Sequence, residues 1–274
     1  MMNLVLLTLT VLSVVGCDGV ATSPSSAPNP SPSTAPGAKP AAIAPPSLEP
    51  TASPNPSASH NPAAVGADRP YDPVIDPADF VAGIDNPFFP LTPGTTLVYR
   101  SGDERIDVTV TPYTREVMGV TTVVVHDRVL ADGALKEDTF DWYAQDRWGN
   151  VWYFGEETTE YEDGKPVSTA GSWEGGVDGA QPGIVMLADP RIGDRYRQEF
   201  YAGEAEDMAR VISLDGVADV TAGTYAGLVV TEDTTPLDPS LVEHKSYARG
   251  IGVVYEKDIK GGGDIVELVE VRTG

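Results

Sequence analysis

The sequence predicts an all-β fold: an antiparallel meander forming a barrel, half-barrel or sandwich, preceded by one short N-terminal helix. Three observations carry that expectation. Beyond about residue 83 no apolar run keeps a helical period; short alternating segments succeed one another, each bounded by Gly, Pro, Asp or Asn. Connections such as "ADG", "EDGK" and "LDG" are short enough for hairpins, and the βαβ alternation of a parallel sheet is absent. Roughly a dozen strands in about 205 residues amount to one domain with a sizeable core.

Taken in order, the first element lies outside that domain. Residues 4–16, "LVLLTLTVLSVVG", carry no charge and as a helix reach about 20 Å, too short for a ~30 Å hydrocarbon core. The run has the length of a signal-peptide apolar region, although "MMN" before it supplies no Lys or Arg. It ends at "VVGC", which resembles the bacterial lipobox. That resemblance implies a signal peptide over residues 1–16 and acylation of Cys17, the mature first residue, which would tether the chain to a lipid bilayer. The alternative is an ordinary secretory signal with an incidental cysteine. Cys17 is the sole cysteine, so the rest of the chain has no disulfide, thiolate metal site or cysteine nucleophile.

Residues 17–69 are dominated by Pro, Ser and Ala, and hold about half of the chain's 24 prolines. With almost no large apolar side chains they cannot offset their ordering entropy, which predicts a disordered spacer. Extended as polyproline II, about 50 residues reach roughly 150 Å, and as a random coil about 40 Å. Such a stalk suits a domain standing off from its anchor through a cell wall, or an O-glycosylated segment. His60 lies here and is given no role.

The remaining residues, 70–274, form the domain. Asp18, Lys39, Glu49, Asp68 and Arg69 leave the spacer at −1, so nearly all of the formal charge of −23 belongs to this part. So acidic a surface excludes nucleic acid and anionic headgroups as partners, and suits cations or a basic ligand. Most of these carboxylates are read as solvated surface. The "IDPADFVAG" stretch supplies the helix, with Asp76 as N-cap and Pro77 at its first position. Strands are expected near 95–100, 105–111, 115–117, 121–131 and 135–145. Others fall near 150–155, 158–162, 166–173, 194–202 and 208–214, then 217–221, 228–233, 242–248, 252–257 and 264–271. Residues 174–194, Gly- and Pro-rich yet holding "IVML", are expected as a long ordered loop with a helical turn at 184–187.

Three of the four tryptophans fall in "FDWYAQDRWGNVWYFGE", residues 140–156. With "DRWGN" as a turn and Gly149 left-handed, Gln145 opposes Val151, Ala144 opposes Trp152, Tyr143 opposes Tyr153 and Trp142 opposes Phe154. Alternation then puts Trp142, Ala144, Trp152 and Phe154 on a core face, and Tyr143, Gln145, Val151 and Tyr153 on the other. The tyrosine face lines either a concave ligand surface or a rim covered by the 174–194 loop. Candidate ligand contacts are Tyr143, Gln145 and Tyr153, with Trp173 and Met186 from the loop region.

"NPFFPLTPGTTLVY", "DWYAQDRWGNVWYFGE" and "YARGIGVVYEKD", in that order, resemble a family of uncharacterised bacterial envelope lipoproteins. The outline is more distantly similar to half-barrel carriers of the LolA/LolB type, which implies a curved sheet with a lid over an apolar cavity. Neither resemblance carries catalytic residues onto this chain.

No catalytic motif emerges: there is no GxSxG elbow, P-loop, GxGxxG or HExxH. His126 and His244 sit in strand patterns, and nothing in the sequence brings them together as zinc ligands with Asp127 or Glu243. "YEDGK" and "DIKGGGD" are acidic turns without the EF-hand spacing. Asp138 and Asp141 face opposite ways and make no carboxylate pair. The expectation is therefore a non-enzymatic, monomeric protein with no cofactor and no metal. It would be lipid-anchored outside the cytoplasm of a bacterium, binding a small apolar, amphipathic or basic ligand in a sheet concavity. The alternatives are a secreted hydrolase using acids near the 174–194 loop, and a purely structural surface protein.

Overall fold

A computed structural model describes residues 71–274. The apolar leader, Cys17, His60 and the spacer therefore lie outside the described residues. Asp76 caps a single 3-10 turn, Pro77–Asp79, by accepting the Ala78 N–H at 3.0 Å. The expected helix stops there, because Phe80 leaves in an extended conformation to pack edge-on against Trp152 and Phe154.

The rest of the domain is built of β-strands. They begin with β1 (Phe80–Val81), β2 (Thr95–Ser101), β3 (Glu104–Val117), β4 (Val120–Ala131), β5 (Ala134–Asp146) and β6 (Val151–Glu162). Next come β7 (Lys165–Ser168), β8 (Trp173–Glu174), β9 (Gln181–Met186), β10 (Arg195–Arg197) and β11 (Glu199–Phe200). The chain ends with β12 (Met208–Val220), β13 (Gly223–Thr235), β14 (Asp238–Ala248), β15 (Gly252–Lys260) and β16 (Ile265–Thr273). All belong to one antiparallel sheet, ordered β10-β12-β13-β14-β15-β16-β2-β3-β4-β5-β6-β9-β11, with β1, β7 and β8 paired at its sides. The ladder does not close into a barrel.

The two edges nevertheless meet on one piece of chain. β10 pairs with β12, β11 pairs with β9, and only Gln198 separates β10 from β11. Gln198 donates its backbone N–H to Asp207 at 2.8 Å and its side-chain amide to Asp233 at 3.4 Å. Here β9 crosses so closely that a Cβ on Gly183 would lie 2.3 Å from the Gln198 carbonyl carbon, so only glycine fits. In the middle of the order, β16 pairs with β2, joining Leu268 to Tyr99.

Several expected strands merge. Residues 105–111 and 115–117 form one strand bulged between Val110 and Thr114, and 150–155 and 158–162 join through Gly155 (φ +129°). "LDG" is no hairpin: Leu214 to Gly216 is a bulge inside β12, and the reversal comes at Thr221–Ala222. A bulge and a two-residue turn use the same residue types, because both require backbone that departs from the pleat. The 174–194 stretch is also corrected. Its apolar core is strand β9, not a helical turn, with Ile184 opposite Trp152 and Met186 opposite Val151. An apolar run buried on both faces has no alternation to show, so its period says nothing about helix or strand.

Candidate functional site

The hairpin between β5 and β6 has the expected turn. Gly149 (φ +98°) donates to the Asp146 carbonyl at 2.9 Å, and the Asp146 carboxylate accepts from Trp148 N, Asn150 N and the Trp152 indole at 2.9–3.0 Å. The pairs Gln145–Val151, Ala144–Trp152 and Tyr143–Tyr153 form, and a bulge beyond them displaces the expected Trp142–Phe154 pair. Both faces are buried. Outside, Phe80 covers Trp152 and Phe154, and the Arg115 guanidinium lies 3.9 Å over the Trp142 ring. The tyrosine face points into the curl of the sheet.

Inside the curl, Tyr143 stacks on Tyr153 at 4.9 Å, and Trp173 meets Tyr153 edge-on at 5.4 Å. Phe89, from the "NPFFP" segment, closes over Tyr143 at 5.4 Å and Tyr247 at 6.5 Å, which brings β5 and β14 together across the interior. Gln145 is spent on structure: its carbonyl accepts from Asp85 N and Asn86 N and its amide donates to Asp85. Met186 sits fully buried in the β6–β9 ladder. Tyr143, Tyr153 and Trp173 are thus in contact with one another, whereas Gln145 and Met186 do other work.

The unforeseen feature is the charge inside. Thirteen of the 38 described carboxylate residues are buried, so most of the acids lie outside the interior as expected, but a third do not. Many share the inward face of the sheet because they recur at every second position, as in Glu137, Thr139, Asp141 and Tyr143. On the β13–β15 side, Lys245 stands 3.6–3.8 Å from Asp233, Glu243 and Glu256. Burial opposes its charge, yet Glu256, Glu243 and Asp233 together raise its pKa well above the usual lysine range. Burial pushes Glu256 up to about 8 and Asp207 to about 7, with Lys245 pulling both the other way.

On the β4–β6 side no lysine or arginine takes that part among the described residues. Burial pushes Asp141 up to about 8 against the hydrogen bond it accepts from the Tyr153 hydroxyl at 2.8 Å. It carries Glu137 to about 7 and raises Glu156 well above the carboxylate range, while Glu199, on β11, is raised well above it by burial and then Asp207, with Trp173 and Lys245 pulling the other way. Asp127 is raised in the same way, by burial first and then by Asp141, Glu137 and Asp107. It is 2% exposed, and neither of its oxygens has a hydrogen-bond partner.

Asp127 and Asp141 line a cavity of about 70 Å³ whose other walls are apolar: Phe89, Leu97, Val110, Val125 and Ile251, with Tyr99 and Tyr143. Of the five residues expected to touch a ligand, Tyr143 alone lines this cavity. A second, more open cleft of about 610 Å³ lies between residues 81–85 and the "DRWGN" turn. Its polar lining is already engaged, since Gln145 holds Asp85 and Asp146 holds the turn.

The acids of the 174–194 region do not converge. Glu174 is held by Arg115 at 2.6 Å, Asp189 by Arg191 at 2.9 Å, and Asp194 accepts the Arg191 N–H at 2.8 Å. His126 stacks on Phe140 and contacts Asp138 on the outer face at 2.6 Å, while His244 lies 3.8 Å from Glu232. Among the described residues, no group of three or more His, Cys, Asp or Glu is placed to hold a metal ion.

No known protein family matches the chain, and no curated protein matches it. Among solved structures, a protein from Bacteroides fragilis, described as exported and of YmcC-like fold, is similar at 13% identity and a TM-score of 0.41. That match covers 68% of this chain and 99% of the other. A protein from Parabacteroides distasonis, described as a lipoprotein, is similar at 11% identity and a TM-score of 0.39, covering 68% and 98%. Likeness at this level carries no argument about what the chain does.

Proposed function

We propose that this chain is a lipid-anchored protein of the bacterial envelope whose β domain holds a small amphipathic ligand inside the curl of its sheet. The cavity carries the binding part of this reading. It joins apolar walls to two carboxylate residues, the arrangement of a site that fixes an apolar body by shape and a polar group by hydrogen bonds. Glu174 and Asp189 are tied to surface arginines, which favours binding over the hydrolytic alternative. The anchor rests on the leader and Cys17, and the spacer gives the domain its reach.

Native mass spectrometry of the domain, released from its host's own membranes, tests the binding. A ligand of fixed mass should accompany the protein and be lost when Val108, which lines the cavity and is only half-buried, is replaced by Trp. Absence of any adduct, or an adduct that survives Val108→Trp, would sink the reading. Cys17→Ser should move the protein from membrane to medium; a serine variant that stays membrane-bound at the processed mass would refute the anchor.

A further inference from the structure

We infer that the ligand carries a positive charge at its buried end, an alkyl- or methyl-substituted ammonium seated on Asp127 with Asp141 beside it. This rests on the reading of the cavity as a binding site and adds the chemical class of what it takes.

Both Asp127 oxygens and Oδ2 of Asp141 are buried without a hydrogen-bond partner, and both residues line the cavity. Buried polar atoms are nearly always paired, so three orphaned acceptors around one space call for donors from outside the chain. An ammonium group offers up to three donors and no acceptor, and in binding it takes the place of the protons that burial keeps on Asp127 and Asp141, whereas an anion would bring no positive charge to balance them.

No hydrogen bond from the described residues reaches these oxygens. The charged groups that act most strongly on Asp127 are Asp141, Glu137, Asp107 and Asp138, all acids. Arg105 and Arg128 are near in sequence, but both serve Asp107 on the outer face of the sheet, at 2.8 Å and 3.7 Å. The Tyr99 hydroxyl is committed to the Val253 carbonyl at 2.9 Å and the Tyr153 hydroxyl to Asp141. The opposite side of the same interior shows the contrast, where Lys245 sits among Asp233, Glu243 and Glu256.

Size and walls narrow the class. About 70 Å³ is roughly half the cavity that accepts a benzene ring, so the buried end has about three or four heavy atoms. Tyr99, Tyr143 and Phe89 add aromatic surface, which favours cations carrying methyl or methylene groups over a bare metal ion. Leu97 and Ile251 in the wall suit an alkyl tail.

Matched probes test this on the purified domain by calorimetry: hexylammonium, hexyltrimethylammonium, 1-hexanol and hexanoate, in the same buffer. Hexylammonium, whose N–H groups can reach these acceptors, should bind about tenfold or more tightly than the alcohol, as a charge-assisted hydrogen bond in a dry site requires, and hexyltrimethylammonium, which has no N–H, should bind less tightly than hexylammonium. Hexanoate should not bind. Asp127→Asn keeps the shape of a neutral carboxylic acid, so it should fold, and it should reduce the cation's advantage to about unity. Asp163→Asn, at the exposed "EDGK" turn, removes a distant charge and should leave the preference intact. Equal affinity for cations and alcohol, or a preference for hexanoate, overturns the inference while leaving an amphipathic site standing. Saturable binding by none of the four overturns both. A cation preference that survives Asp127→Asn with the variant's circular dichroism unchanged also overturns the assignment.

Discussion

Raising the pH should destabilise this domain across a range in which most proteins are near their best. Asp141 and Glu256 are pushed up to about 8, and Glu137 and Asp207 to about 7, each chiefly by burial. In the unfolded chain these groups titrate near their ordinary values of about 4. Between pH 5 and 7 the folded state therefore holds protons that the unfolded state has released. Their contribution to stability is complete below about pH 4 and is lost as pH rises through 7 to 8. Each retained proton costs about 1.4 kcal/mol per pH unit. Neighbouring acids share protons, so two are counted rather than four, giving roughly 5 kcal/mol between pH 5 and 7. In a domain of this size 1 kcal/mol moves Tm by about 2–4 °C, so Tm should fall by about 10–20 °C. Scanning calorimetry at pH 5, 6, 7 and 8, in 0.1 M and 0.5 M NaCl, measures it. The salt arms separate the interior from the acidic surface, whose mutual repulsion is screened at 0.5 M. A Tm that stays level or rises over this range, or a fall that disappears at 0.5 M salt, would refute the reasoning.

Three further perturbations address the frame around the site. Gly183→Ala places a Cβ within 2.6 Å of backbone atoms of Arg197 and Gln198, so it should cost about 3 kcal/mol or more in urea titrations; a mild effect would mean that the crossing is looser than described. Trp152→Ala empties a buried site and frees an Asp146 oxygen, for about 3–5 kcal/mol, whereas Tyr153→Phe removes one hydrogen bond to Asp141, for about 1–2 kcal/mol. The reverse order would exchange the roles of the two hairpin faces. Deleting residues 29–56 should leave the Tm of the domain within about 1 °C; a larger loss would show that the spacer packs on it.

Strand content was legible because turn residues punctuate the sequence, and the β5–β6 hairpin because "DRWGN" fixes its own register. The polar interior was not. Glu137, Thr139, Asp141 and Tyr143 alternate with Asp138, Phe140, Trp142 and Ala144, so both series mix polar with apolar and neither declares itself as the inside. Around the hairpin the apolar series faces outward and is covered by Phe80 and Arg115, contrary to the usual rule. Asp127 gave one local hint, since Val125 and Val129 flank it on its own face and both are buried. That hint needs the pairing of β3, β4 and β5 before it means anything, and pairing is a long-range property. The same holds for β9, whose "PGIVM" shows its burial only once β6 lies beside it.

The pairing of β16 with β2 has a consequence for how the molecule is made. β2 lies in the middle of the finished sheet, paired on both edges, so it is built as a central strand and not as a blunted edge strand. One of its partners is the last strand of the described chain, about 170 residues later. A polypeptide delivered amino-terminus first can pair one edge of "TTLVYRS" with β3 at once but must keep the other unpaired until residues 265–273 arrive. Contacts so distant along the chain also form slowly. The step at greatest risk of misassembly is thus the last one, when the two arcs of the meander join at β2 and β16.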